Sequence, residues 1–459
     1  MKKEDLKNLS LEEKKKLLKK KLMEKKKVEA KKDVIKEDDF RKYTFDMFEE
    51  GNSPDDTEIK RFNQWAEKAE KAGIYAFESA RLHEQKENID LKRETGETLS
   101  MINFSSYNYL GYAYHPEVKQ ASVEAVNRYG TGAASSPVIS GTFALHKEVE
   151  NELVHFMGFD SEKYGVSLFS SGYGVNTGTI SAYMKPGSCV VLDELSHASL
   201  MEGAVLSGSS IRTFKHNDME DLEKVLRSLR GEKVRKLICC EGVYSADGDR
   251  GKVKDIVKLA KRYNARTLID EAHSIMVAGE NGRGVCEEQG VLNDIDFFVI
   301  TFSKSLASVG GALITRKEYA RYINWYARVR MFSAAIPPGV AGSVKKALEL
   351  GSGENGRMRR KKLHENAFYM REKLSEKINI LDSDSWIIPA MCYDEKKSLE
   401  LNDYLQRKGL DGSIMNYPAV PRGESRIRLF VTSEHTREHI DKAVKILFDA
   451  GEKFGFLKK

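Results

Sequence analysis

Short apolar runs recur between residues 100 and 300, each closed by polar or glycine-rich sequence. They are Val166–Phe169, Cys189–Leu192, Lys236–Cys240, Thr267–Ile269 and Phe297–Ile300. Runs without polar alternation predict strands covered on both faces. Met219–Leu229 and Val253–Tyr263 lie between them and carry apolar residues at helical spacing. Strands alternating with helices predict an α/β fold built on a large, mainly parallel sheet. After the glycine-rich stretch Gly351–Gly356 the pattern changes to a smaller α+β unit, with a strand over Ile427–Val431 and a closing helix from about Thr436. Upstream, residues 57–87 predict helix behind the turn at Gly51–Asp56. Ser10-Leu11-Glu12-Glu13 reads as a capping box, and Leu17, Leu18 and Leu22 follow at helical spacing. The expected organisation is a Lys-rich helical arm (1–32), a linker and helical segment (33–99), a large α/β domain (100–350) and a small C-terminal α+β domain (351–459).

Charge sharpens this picture. The net charge is +6, but residues 1–32 alone hold 14 Lys against 6 Asp or Glu, so the remaining chain is slightly acidic. A nucleic-acid-binding body would carry its basic residues on one face of the fold, so no nucleic-acid partner is expected. The arm reads either as a solvated helix or as a docking segment for an acidic partner such as a carrier protein. No apolar run approaches the roughly 18 residues of a spanning helix, and no apolar stretch follows the basic N-terminus. Five cysteines without C-x-x-C spacing predict reduced, buried thiols in a cytoplasmic protein, with no metal site.

The chemistry gathers where the strands end, which is where ligands bind in open α/β sheets. Val166–Phe169 runs into Ser170-Ser171-Gly172-Tyr173-Gly174 and then a helix. Such a turn presents backbone N–H groups to a phosphate. Its spacing differs by one from a dinucleotide fingerprint, and there is no G-x-x-x-x-G-K-[ST]. Asp270-Glu271-Ala272-His273 follows the next-to-last strand; Asp270 could be a helix cap, a metal ligand or the partner of a protonated heterocycle. Lys304, in Thr301-Phe302-Ser303-Lys304, follows the last strand. A lysine placed there suits Schiff-base chemistry. Phosphate turn, acid and lysine together are the protein parts that a pyridoxal phosphate site needs.

From about residue 100 to 450 the chain resembles the α-oxoamine synthases, a group of fold-type I pyridoxal-phosphate enzymes with a large parallel-sheet domain and a smaller C-terminal α+β domain. The motifs that carry the resemblance are Ser106-Tyr107-Asn108-Tyr109-Leu110-Gly111, Ser171-Gly172-Tyr173, Asp193–Leu200, Glu241–Asp249, Asp270–His273, Ser303-Lys304 and Arg426-Ile427-Arg428-Leu429. In motif detail it is most similar to serine palmitoyltransferase and to relatives attached to polyketide pathways. The resemblance implies that Lys304 holds pyridoxal 5'-phosphate and moves protons, that Asp270 bonds the pyridinium nitrogen, and that His197 stacks on the ring. Ser245 and His273 would contact the phenolic oxygen. Ser171, Gly172, Tyr173 and Thr301 would bind the phosphate, and Asn108 and Arg428 the amino-acid substrate. It also implies a homodimer with shared sites, Ser333 reaching the partner's phosphate. Pro137 stands where many relatives have Arg, and Ala334 where they often have Thr. The implied reaction is a decarboxylating condensation of a small L-amino acid (serine or alanine, then glycine) with an acyl thioester on CoA or a carrier protein. Serine palmitoyltransferase proper, a fold-type I aminotransferase and an inactive partner subunit are the alternatives.

Overall fold

The computed structural model describes residues 40–458 apart from 41–42, 45, 50–55, 76, 94 and 232–233; the basic helix expected over 1–32 lies outside them. The first long helix, Thr57–Lys71, ends well before residue 87. Gly73 has a φ of 68°, a left-handed conformation open to glycine, and the chain beyond it becomes extended. Three strands follow: β1 (Ala80–Arg81), β2 (Asn88–Lys92) and β3 (Thr98–Asn103). They pair as an antiparallel meander. β3 also takes Leu410–Asp411, from the far end of the sequence, as a parallel neighbour. Arg93 ties the two regions together, donating to Asp403 Oδ1 at 2.5 Å and Gln406 Oε1 at 2.7 Å.

The apolar runs form the main sheet: β4 (Tyr164–Phe169), β5 (Cys189–Asp193), β6 (Ser210–Phe214), β7 (Lys236–Glu241), β8 (Arg266–Asp270), β9 (Phe297–Thr301) and β10 (Gly311–Arg316). Their order is β4-β10-β9-β8-β7-β5-β6. The block from β6 to β9 is parallel, and β10 runs antiparallel to β4 and β9. β5, β7 and β9 are buried at every residue, which is why their sequences show no alternation. β10 was not legible as a strand, because its apolar core is short and opens on two glycines. Those glycines have a spatial reason. A Cβ on Gly311 would lie 2.6 Å from Ile300 O and 3.1 Å from Gly172 Cα. The helix Gly172–Tyr183 is almost wholly buried and packs on the helix Ala198–Ser207.

Toward the C-terminus come β11 (Ile387–Tyr393), β12 (Leu410–Asp411), β13 (Ser413–Met415) and β14 (Ser425–Phe430). An antiparallel sheet of order β11-β14-β13 forms the smaller layer. The strand expected at Ile427–Val431 thus begins two residues earlier. The closing helix, Arg437–Phe454, is capped by Thr436, whose Oγ1 accepts from His439 N at 3.2 Å. Among the described residues no helix is long and apolar enough to cross a membrane.

The two sheets meet at Gly248. Its carbonyl accepts from Ser385 N at 3.1 Å, its φ is 73°, and a Cβ there would lie 1.9 Å from Ile387 O. A side chain at this position would need both a strained backbone and a backbone shift. Gly248→Ala should therefore lower the stability by about 2–4 kcal/mol, read as a fall in the thermal unfolding midpoint; an unchanged midpoint would show that the seam yields freely.

Candidate active site

The carboxyl ends of β4, β5, β7, β8 and β9 open into one cavity of about 780 Å³, walled on its far side by β14 and the segment after β13. That volume suits a cofactor together with a small substrate. Its floor is ionic. Asp270, the last residue of β8, accepts from Asn176 Nδ2 at 2.7 Å and from Ala272 N at 2.9 Å. Two N–H donors fix the direction of the carboxyl group. Asn176 also donates to Ser199 Oγ at 2.9 Å, while its buried Oδ1 has no partner.

Lys304 lies in the turn after β9, where Ala307 (φ 60°) and Gly310 (φ 108°) fold the chain back. Burial lowers its ammonium to about 8, against the opposing pull of Asp270 and Glu241. Its Nζ is 5.9 Å from the centre of the Tyr107 ring. His197 caps the helix Ala198–Ser207; Nδ1 lies 2.8 Å from Ser199 Oγ, and its backbone N donates to Glu241 Oε1 at 2.6 Å. Burial, with Lys304 and Arg428 nearby, lowers its imidazole despite Asp270. His273 is buried against Tyr109, Nδ1 to Oη 2.7 Å, and burial first, then Lys304, keeps it well below the usual histidine range.

Arg428 reaches the cavity from β14. It donates to Ser245 O at 2.8 Å and to Tyr107 Oη at 3.3 Å, and its buried Nε has no partner. The neighbouring walls are tied by His216, with Nδ1 2.9 Å from Asp193 Oδ1 and Nε2 2.8 Å from Asp249 Oδ2. Despite burial, these two carboxylates raise it to about 10, so it is an imidazolium at neutral pH. It locks the turn leading to His197 against the turn that carries Ser245.

Ser171, Gly172, Tyr173, His197, Ser245, Asp270, His273, Thr301, Lys304 and Arg428 all line this cavity. Asn108 does not. Its side chain donates to Gln85 O at 3.2 Å and accepts from Ala113 N at 3.1 Å. The cavity receives Tyr107 instead. Ser333 also lies elsewhere, in a small pocket with Pro137, His146 and Arg330. Glu241, Asn176, Ser199 and Ser303 are cavity residues that sequence reasoning did not single out. Asn176 had a readable signal, one helical turn beyond Gly172 and on the same face.

The residues fit pyridoxal phosphate. A Cβ at Gly172 would lie 2.8 Å from Thr301 Oγ1, so glycine alone leaves room at that helix start. Ser171 occupies its cap, accepting from Gly174 N at 2.9 Å. Thr301 Oγ1 and Ser303 Oγ stand 2.9 Å apart beside it. The result is a phosphate-sized polar cradle, with an anchored carboxylate and a lysine with lowered basicity facing the same space.

Comparison with known proteins agrees with this geometry. Residues 100–447 match the family described as Aminotransferase class I and II. An 8-amino-7-oxononanoate synthase from Thermoanaerobacter pseudethanolicus is 37% identical over 358 residues, covering 78% of this chain and 89% of that one. The fold superposes on a serine palmitoyltransferase from S. paucimobilis with bound PLP at a TM-score of 0.80, with 32% identity over 86% of this chain and 97% of that one. A Sphingomonas wittichii serine palmitoyltransferase gives 0.78 at 30% identity, covering 85% and 97%. With lysine, anchored carboxylate and phosphate cradle in one cavity, and relatives of these two kinds spanning most of the sequence, the chain belongs to the α-oxoamine synthases, the pyridoxal-phosphate-dependent acyltransferases within the class I and II aminotransferase family.

Proposed function

We propose that this enzyme condenses a small L-amino acid, serine or alanine ahead of glycine, with an acyl thioester carried on CoA or a carrier protein. The products are an α-amino ketone, CO2 and the free thiol. The observation that supports this reading most directly is that Lys304 and Arg428 face one cavity, with Asp270 at its floor. Pyridoxal phosphate, when bound, supplies an electron sink that lets the α-carbon of the amino acid act as a nucleophile.

The chain's own residues do the rest. The N–H groups at the start of Gly172–Tyr183, with Ser171, Tyr173, Thr301 and Ser303, hold the phosphate. Asp270 would pair with the ring nitrogen, and Asn176 and Ala272 keep Asp270 in place. His197, Ser245 and His273 would border the ring. Lys304 would hold the aldehyde end through its amine, and that same amine is the group placed to take the α-proton and return one. Arg428 pairs with the substrate carboxylate, a task suited to guanidinium, and Tyr107 steadies it. Leu195, Met415 and the segment Tyr417–Pro421 form an apolar side wall that suits the acyl chain and keeps water from the nucleophilic carbon. In this reading the enzyme is a homodimer in which Ser333 reaches the partner's phosphate, and its five buried free thiols suit the cytoplasm.

Titrating the visible band of the loaded protein with L-serine, L-alanine and glycine, then supplying acyl-CoA and acyl-carrier donors while measuring CO2, tests the assignment. Spectral response to an amino acid with amine exchange but no CO2 release would favour a transaminase. Lys304→Ala should abolish turnover. In the wild type the amine must be neutral to attack an aldehyde. The rate of cofactor capture by stripped protein should therefore rise about tenfold per pH unit below 8 and level off above it; stopped-flow absorbance reads this, and a flat profile would exclude Lys304 as the capturing amine. Arg428→Gln should raise the KM for the amino acid about 10- to 100-fold, the loss of a charge-assisted hydrogen bond, with a smaller effect on the acyl donor. Equal effects on both substrates would remove Arg428 from the carboxylate role.

A further inference from the structure

Glu241 is the cavity residue that the proposed mechanism leaves without a task. It ends β7 directly opposite Asp270, the last residue of β8, as Cα partners in a parallel ladder. Their side chains therefore leave the same face of the sheet from strands about 4.8 Å apart. Both are buried, and both line the cavity. Two carboxyl groups this close, out of water, do not both ionise readily. Asp270 is the better solvated of the two, because two N–H groups donate to it. Glu241 accepts a single N–H, from the backbone of His197 at 2.6 Å.

We propose that Glu241 is a positioning residue of the active site that carries a proton in the resting enzyme, fixes His197 through that residue's backbone N–H, and on ionising helps hold a proton on the Lys304 nitrogen. The charged groups near it are Asp270 on β8, Lys304 after β9 and Arg428 on β14, with Asp193 on β5 acting from the opposite face of the sheet, and His197 after β5 meets it through its backbone N–H. Burial first, then Asp270, raises its carboxyl to about 8, with the His197 N–H and Lys304 opposing. The sign follows. Below that pH Glu241 is neutral and leaves the lysine nitrogen free to lose its proton. Above it, a new negative charge favours the protonated nitrogen. The same upward shift makes Glu241 a source of stability that is fully present below the ordinary carboxylate range and is lost as pH rises through about 8.

The test uses the pyridoxal-phosphate-loaded full chain and the variants E241Q and E241A. This inference rests on Lys304 being the cofactor's anchor. A wild-type protein with no visible band would defeat that reading, whereas the outcomes below concern Glu241 alone. The pH midpoint of the visible absorbance change should move down in E241Q relative to wild type, because the charge that retains the proton is gone. The thermal midpoint of E241Q relative to wild type should increase by several degrees between pH 5 and pH 9. Glutamine can still accept from the His197 N–H, so cofactor affinity should stay within about threefold in E241Q and fall about tenfold or more in E241A. Superimposable absorbance titrations of wild type and E241Q, or a difference in thermal midpoint that is constant with pH, would overturn the proton-bearing role. Equal affinity losses in E241Q and E241A would overturn the positioning role.

Discussion

Four ionisable side chains, Asp270, Glu241, Lys304 and Arg428, are drawn out of bulk water at one edge of an otherwise apolar sheet, and most of the local architecture answers to that. A charge moved from water into protein is costly unless partners replace the lost solvation. Asp270 receives Asn176 and a backbone N–H; Arg428 receives a carbonyl and a phenol. Lys304 and Glu241 respond in another way, each displaced toward its neutral form. The site thus holds one carboxyl group and one cation firmly fixed by hydrogen bonds, and two groups poised to change protonation near neutral pH. Such a poised pair is what acid–base chemistry near neutral pH requires.

The firm cation comes from a different layer of the fold. Arg426 and Arg428 stand two apart on β14, so they leave the same face of the small sheet. Arg426 pairs with Asp247 and Arg428 with the carbonyl of Ser245, both on the turn that Gly248 presses against β11. A register slip of one residue in β14 would send Ile427 and Leu429 into the cavity and both arginines into the core. The seam at Gly248 and the pairing of β14 with β11 therefore set where Arg428 enters the cavity, as well as holding the two sheets together.

This division of labour explains what the sequence revealed. Lys304, Asp270, His197 and the Gly172 turn are each written locally, as a polar group at the end of an apolar run, and each lies in the cavity. Arg428 had no such local signal and came only from resemblance. Glu241 matters through a neighbour 44 residues away, which no window of sequence displays; Asn176 is readable as a position on the Gly172 face, but its partner Asp270 lies 94 residues on. Asn108 and Tyr107 show a finer limit. The motif is visible, but which of two adjacent side chains turns inward depends on the contacts made at Gln85 and Ala113. β1, β2, β3 and β10 were obscure for a related reason, being short and completed by distant partners.

The cavity is also divided in a way that bears on its chemistry. Lys304 enters from the turn after β9, on the Asp270 side, and Arg428 from β14, while Leu195, Met415, Pro418, Ala419 and Val420 form a side wall with no charge of its own. An enzyme that exchanges amino groups between two acids presents the same carboxylate anchor to each substrate in turn, and gains little from a second, apolar wall. Joining an amino acid to an acyl chain needs both surfaces at once: an anchor for the carboxylate that will leave as CO2, and an apolar face for the chain that stays. In the proposed reading Arg428 would supply the first from β14, and the segment just before β14 much of the second. A single stretch, Met415 to Arg428, therefore contributes both the guanidinium and much of the apolar wall to the cavity that Lys304 and Asp270 line from the large sheet.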